Sequence, residues 1–324
     1  MKKLFLVTLC LLQSIFLFGA AAKYESDQYD LYVTYNDTIV PGDAVFVRMK
    51  ISSPKSIKKD KDDIEKKATL QLLKNKKVIE ELPFYSLSKS TRQSTVELLC
   101  GMPISMWLEE ADYSIKVIFT PYDGECKEFI LPTTFQSKDF IEDVVYLDPV
   151  NTAIKTNNSP KRATQINKLN QILYTTNPAN VNSLEPFIKP VDCERITSEY
   201  GERRIYQYSN GKRSYGNPHN GIDYGVPEGT EVKSCAGGTV VMAENRISTG
   251  WSIVVEHLPG LYSLYYHLSS MNVKEGDVVK AGDIIGLSGK TGLATGPHLH
   301  WEVRLDAYAI NPEFFMDNFT FELK

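Results

Sequence analysis

From Tyr29 to about Leu147 apolar residues recur at every second position, and that period leaves the chain few ways to fold. Leu31, Val33 and Tyr35 alternate with other residues, as do Val45, Val47, Met49 and Ile51, and again Tyr113, Ile115, Val117 and Phe119. A period of two turns one face of a strand to a core and the other to solvent. Turn residues separate the runs at Pro41-Gly42-Asp43, Lys74-Asn75-Lys76 and Tyr122-Asp123-Gly124. Short strands at this spacing predict an antiparallel sandwich, immunoglobulin-like in outline. The mixed-charge run from Lys55 to Lys67 reads as a solvated loop between strands.

The pattern then changes twice. Ser159-Pro160 supplies a helix cap and a first-turn proline, and Ile166, Leu169, Ile172 and Leu173 follow at helical spacing until Asn177-Pro178. That narrow stripe predicts a helix that docks onto a neighbouring domain. From about Phe187 glycines and turn residues become frequent and the strands short, as in Gly237-Gly238-Thr239-Val240 and Lys280-Ala281-Gly282-Asp283. This predicts a second, compact all-β domain. The expected layout is a leader at 1–22, a sandwich at 23–148, a connector with one helix at 149–186 and the second domain at 187–324.

The leader rests on Lys2 and Lys3, the apolar run Leu4 to Phe18 and the small residues Ala20-Ala21-Ala22, the pattern of a cleavable secretory signal peptide. No later stretch is long and apolar enough to span a bilayer. The mature chain is therefore expected to be exported to the periplasm, the cell envelope or the medium. Lys and Arg number 36 against 40 Asp and Glu, so no basic field invites nucleic acid. Beyond the leader the cysteines are Cys100, Cys126, Cys193 and Cys235, without a C-x-x-C. In an oxidising compartment the expectation is one disulfide per domain, Cys100–Cys126 and Cys193–Cys235.

All five histidines fall in the last third of the 324 residues. His219-Asn220-Gly221-Ile222-Asp223 is an H-x-x-x-D, Tyr265-Tyr266-His267 a second segment, and His298-Leu299-His300 an H-x-H. Imidazole and carboxylate are natural ligands of zinc. On an extended strand i and i+2 share a face, so His298 and His300 address one cavity with Leu299 and Trp301 behind, and Tyr265 is expected to share a face with His267. Two imidazoles and one carboxylate would leave the fourth position of a tetrahedral zinc open, the mark of a catalytic site. A nearby imidazole that is not a ligand could move the proton of a hydrolytic reaction. His257 follows Ile253-Val254-Val255-Glu256 and precedes Leu258-Pro259-Gly260, outside any ligand motif, and reads as structural. Gly201, Gly221 and Gly296 read as backbone devices for close approach or positive φ.

With these segments the region from Phe187 to Phe315 resembles the lysostaphin-type, or LytM-type, zinc metallopeptidases that cut peptidoglycan cross-links. The resemblance runs through Ser198-Glu199-Tyr200-Gly201, Arg204, the H-x-x-x-D, Gly289-Lys290-Thr291-Gly292, the H-x-H and Asn311-Pro312. It implies a β barrel-sandwich peptidase domain with one zinc on His219, Asp223 and His300, and His267 and His298 as a catalytic pair. The implied substrate is the peptide stems of peptidoglycan, with other envelope proteins as partners of the N-terminal sandwich. The alternative is a catalytically silent LytM-like protein that binds or activates another wall hydrolase. The filled motif favours the enzyme.

Overall fold

The computed structural model describes residues 20–26, 29–52, 68–87, 95–120, 125–316 and 319–323. The apolar leader before Ala20, the charged run from Lys55 to Lys67 and the Tyr122-Asp123-Gly124 turn lie outside the described residues. The chain divides into two compact units, the first comprising 1–104, 108–137 and 319–324, the second 105–107 and 138–318. Both are built mostly of strands.

The first unit holds β1 (Ala20–Glu25), β2 (Asp30–Tyr35), β3 (Thr38–Ile39), β4 (Ala44–Ser52), β5 (Thr69–Lys74), β6 (Lys77–Pro83), β7 (Tyr85–Ser86), β8 (Thr95–Pro103), β9 (Tyr113–Phe119), β10 (Lys127–Leu131) and β11 (Thr134–Phe135). One antiparallel sheet runs β1-β2-β4-β8-β7 and another β10-β9-β5-β6. The alternating residues of β2, β4 and β9 meet in one core with Leu70, Leu72, Leu98 and Met102. Lys74-Asn75-Lys76 makes the β5–β6 turn as expected, with Asn75 and Lys76 at φ 51° and 67°, the left-handed pair that two-residue hairpins favour. The tail at 319–324 belongs here and not with the second domain. Phe319 and Phe321 pack on Phe46 at 5.2 and 5.3 Å, and Arg48 donates to the Phe321 carbonyl.

The predicted disulfides do not form. Cys100 is enclosed in this core while Cys126 is exposed; Cys235 is enclosed in the core of the second unit, where its Sγ is 3.7 Å from His257 Nε2, and Cys193 lies nearer the surface. Each predicted pair would join a thiol sealed in a core to one at or nearer the surface.

The second unit opens with β12 (Glu142–Tyr146), then α1 (Pro149–Lys155) and α2 (Pro160–Leu173). The connector thus carries two helices where one was expected. Seven residues are too few to show an apolar period, although Asp148-Pro149 is the same kind of start signal as Ser159-Pro160. Asp148 and Ser159 both cap through their side chains. There follow β13 (Ile196–Ser198), β14 (Arg203–Gln207), β15 (Arg213–Tyr215), β16 (Gly221–Tyr224), β17 (Glu231–Lys233), β18 (Gly238–Arg246), β19 (Gly250–Leu258), β20 (Leu261–Leu268), β21 (Ser270–Met271), β22 (Val278–Val279), β23 (Ile284–Leu287), β24 (Leu299–Leu305) and β25 (Tyr308–Ile310).

The large sheet runs β13-β16-β24-β20-β19-β18-β22, with β25 on β24; β17-β23-β21 and β12-β14-β15 form smaller sheets. One face of the large sheet presents wholly enclosed side chains, among them Ile253, Val255, Tyr265, Leu299, Trp301 and Val303. The other face carries Met242, Val254, Tyr262, Leu264 and Tyr266, and there Leu169, Ile172 and Leu173 of α2 pack. The stripe on α2 therefore docks on the sheet of its own unit. Ile166, the fourth residue of the stripe, is exposed. Among the described residues no helix is long and apolar enough to cross a membrane.

Candidate metal centre

The site is laid out by strand register. Asp223 on β16 pairs with His300 on β24, and His300 in turn with Tyr266 on β20, so the three form a row across the sheet. His219 enters from the segment just before β16. Gly221 makes this entry feasible, because a Cβ there would strike the Trp301 carbonyl.

Three ligand-type atoms converge. His219 Nε2 lies 3.1 Å from Asp223 Oδ1 and 2.9 Å from His300 Nδ1, and His300 Nδ1 lies 2.7 Å from the same Oδ1. Among the described residues this trio is the group of His, Cys, Asp or Glu side chains that could hold a metal ion, and all three members are buried. The remaining polar atom of each is already committed. His219 Nδ1 donates to the Glu199 carbonyl at 2.8 Å. Asp223 Oδ2 accepts from Arg204 at 3.1 Å. His300 Nε2 donates to Glu302 Oε1 at 2.9 Å, and Arg304 holds the other oxygen of Glu302 at 2.7 Å. Such outer contacts fix the tautomer and aim of a metal-binding imidazole. They leave His219 Nε2, Asp223 Oδ1 and His300 Nδ1 facing one point, and this donor set suits a divalent cation of the zinc type.

The charges agree. Burial works against an ionised Asp223, but His219 and His300 outweigh it and hold the carboxyl well below the usual range. Burial also works against charging His300, yet Asp223 and then Glu302 prevail and push its pKa up to about 9. For Glu302 the opposing burial is overcome by Arg304 and His300, which bring it down to about 2. On His219 burial wins and lowers the pKa. The buried cluster therefore holds two ionised carboxylates, Asp223 and Glu302, beside its imidazoles.

His267 and His298 stand beside this trio. Their rings are 4.8 Å apart, and that of His267 is 6.0 Å from His300. His298 Nε2 is 3.7 Å from Asp223 Oδ1. His267 Nδ1 donates to the Thr291 carbonyl at 2.7 Å and His298 Nδ1 to the Gly296 carbonyl at 2.8 Å, so each ring is oriented through its Nδ1. Burial, with His298 and His300 nearby, lowers the His267 pKa to about 3, which keeps that ring neutral.

The expected shared face of Tyr265 and His267 is overturned. Tyr265 turns into the closed core, where its oxygen accepts from the Cys235 amide. Tyr266 is the residue on the site face, its ring parallel to His300 with centroids 5.5 Å apart. The register between β19 and β20 shifts from Trp251↔Leu268 to Ile253↔Tyr265, so β20 carries one residue more than β19 there. His267 sits in this bulge at φ 62°, and a bulge re-aims a side chain that simple alternation would send elsewhere. His298 and His300 both approach Asp223 Oδ1, at 3.7 and 2.7 Å, while Leu299 and Trp301 are buried in the core. His257 is wholly buried away from the trio. Gly201 has φ 80° and its open side faces Phe140, as a backbone device should, whereas Gly296 has neither positive φ nor a close neighbour.

Sequence reasoning gave no role to Glu302, Arg304, Tyr266 or Thr291. Glu302 and Arg304 were detectable, since they follow His300 at i+2 and i+4 on one strand face. Tyr266 and Thr291 depend on the bulge and on a loop crossing, which leave no periodic trace.

Residues 217–312 match Peptidase family M23. An uncharacterized metalloprotease of Buchnera aphidicola is 41% identical over 128 residues, which are 40% of this chain and 32% of that protein. Peptidoglycan DD-endopeptidase ShyA of Vibrio cholerae is 42% identical over 123 residues, 38% of this chain and 28% of ShyA. A crystal structure of a putative M23 peptidase from Pseudomonas aeruginosa has a similar fold at 21% identity and a TM-score of 0.53, covering 87% of this chain and 96% of that one. The chain spans no more than about a third of the length of these two curated relatives.

Proposed function

We propose that this chain, which carries a Peptidase family M23 domain at residues 217–312, is an exported zinc-dependent endopeptidase that hydrolyses peptide cross-links of peptidoglycan. The observation that carries the reading is the convergence of His219 Nε2, Asp223 Oδ1 and His300 Nδ1 within 3.1 Å of one another, with each residue's other polar atom already bound elsewhere. The similarity to ShyA, a peptidoglycan DD-endopeptidase, supports peptidoglycan as the substrate. The leader at 1–22 supports export to the periplasm or envelope, and the first unit, read as an immunoglobulin-like sandwich, is assigned to contacts with the wall or with other envelope proteins.

His219, Asp223 and His300 would hold the zinc. When bound, zinc supplies Lewis acidity, which acidifies water toward neutral pKa and polarises a carbonyl. The rest falls to the protein. His267, which burial keeps neutral, and His298 stand side by side next to the trio. One can take a proton from water, and protonated imidazole can return it to the departing amine. The N–H of whichever ring has taken that proton can also stabilise negative charge on the substrate oxygen before the proton passes to the amine. Arg204 holds the second oxygen of Asp223 and keeps that carboxylate from swinging away.

Isolated sacculi incubated with the protein should release cross-link-cleaved muropeptides, identified by mass spectrometry, and a chelator should stop the release without unfolding the protein. Zinc-replete protein that releases none from sacculi of several cross-link types would favour the silent, hydrolase-activating reading.

A further inference from the structure

The connector packs on the working face of the large sheet. Tyr262, Leu264 and Tyr266 of β20 stand opposite Arg304, Glu302 and His300 of β24, and the same three residues share one apolar cluster with Leu169, Ile172 and Leu173 of α2. Tyr266 therefore touches both the helix cluster and the His300 ring.

The N-terminal half of α2 also grips the turn between β18 and β19. Gln165 Oε1 accepts from the Ile247 amide at 2.9 Å and its Nε2 donates to the Asn245 carbonyl at 3.2 Å, so one side chain satisfies two backbone groups of the turn. Arg246 donates back to the Gln165 carbonyl at 3.2 Å, and Arg162 Nε donates to Ser248 Oγ at 3.0 Å. The far side of this turn faces the catalytic pair. The Thr249 carbonyl accepts from the His267 amide at 2.8 Å, and the Ser248 carbonyl from Leu293 at 2.9 Å in the loop that leads to His298. Gly250, at φ 62°, leaves room for Thr291, whose carbonyl orients the His267 ring. His267 has a positive φ of 62°, which is unfavourable in a residue other than glycine and persists only where the surroundings impose it. The turn supplies that surrounding, and α2 fixes the turn.

We infer that α2 is part of the catalytic unit and that Gln165 is a positioning residue for His267, acting through the Asn245–Thr249 turn. This rests on the role given to His267 above. Displacement of a proton-transfer group by about an ångström costs up to roughly a hundredfold in rate.

The test uses the full-length zinc-loaded protein with Gln165→Ala, and Asn167→Ala, an exposed position on the same helix, as control. The expected result is a ten- to hundredfold lower kcat on sacculi, unchanged zinc content, and displaced ring ¹⁵N signals of His267 with those of His257 unmoved. Gln165→Glu keeps the acceptor but loses the donor and should fall between. Wild-type kcat together with unmoved His267 signals in both Gln165 variants would overturn the inference, and so would a raised kcat, which would make α2 a restraint. Should the wild type cleave no sacculi, the functional reading fails by itself; the His267 signals still decide whether Gln165 positions that ring.

Discussion

Two buried histidine clusters lie in the same unit, and only one of them is built to be completed from outside. His257 is fully enclosed. Its Nδ1 donates to the Gly237 carbonyl at 2.8 Å and its Nε2 accepts from Ser263 at 2.7 Å. Phe187 covers the ring at 5.0 Å. Neutral partners satisfy both nitrogens, and burial brings the pKa down to about 4. His219 and His300 are as deeply placed, but each spends one nitrogen on orientation and turns the other toward Asp223. Burial of a histidine therefore says little about its role. What separates the clusters is whether the local hydrogen bonds close on themselves or leave several ligand-type atoms converging on one point.

The sharpest way to break this contrast is to remove a member of the trio. His300→Ala or His219→Ala should abolish both metal retention and sacculus hydrolysis, read by elemental analysis and muropeptide release. The next effect divides the site itself. His267→Ala and His298→Ala should keep the metal yet lose on the order of 10²–10⁴ in rate, the scale of a positioned proton-transfer group; loss of metal in either would make it a ligand. Glu302→Gln tests the support around the trio. Its weaker hold on His300 Nε2 should lower metal affinity about 10–100-fold, measured by competition with a chromogenic chelator.

The smallest effect on the chemistry belongs to His257. His257→Gln should leave metal content and rate unchanged and instead alter the pH dependence of stability. Because its folded pKa is about 4 against an ordinary 6.5, the unfolded chain binds the proton first as pH falls. The stability from a neutral His257 is complete above about pH 6.5 and is lost as the pH drops toward 4, to a total of about 3 kcal/mol. Urea unfolding of wild type and variant between pH 7 and 4 should show a shallower loss in the variant. Equal slopes would mean that burial of His257 carries no such linkage.

How much of this was legible in the sequence depends on whether position follows a period. Val45, Val47, Met49 and Ile51 lie on an unbroken strand, so alternation gave their burial directly. His298 and His300 obey the same rule. Alternation failed at His267, because the bulge opposite Ser252 adds one residue and puts Tyr266 on the site face in place of Tyr265. The cysteine pairing failed for a different reason. A compartment permits oxidation, but burial decides whether a thiol meets its partner, and Cys100 and Cys235 are sealed in cores while Cys126 is exposed and Cys193 lies nearer the surface. Gln165 was hidden because a polar residue on an amphipathic helix reads as a solvated face until the turn it grips is known.

The role proposed for His219, Asp223 and His300 is to hold one metal ion together. Calorimetric titration of zinc into the chelator-stripped, full-length protein, beside Asp223→Ala, tests it most directly. The account predicts about one tight site per chain in the wild type and none in the variant. Equal binding by both proteins, or no tight binding by the wild type, would contradict it.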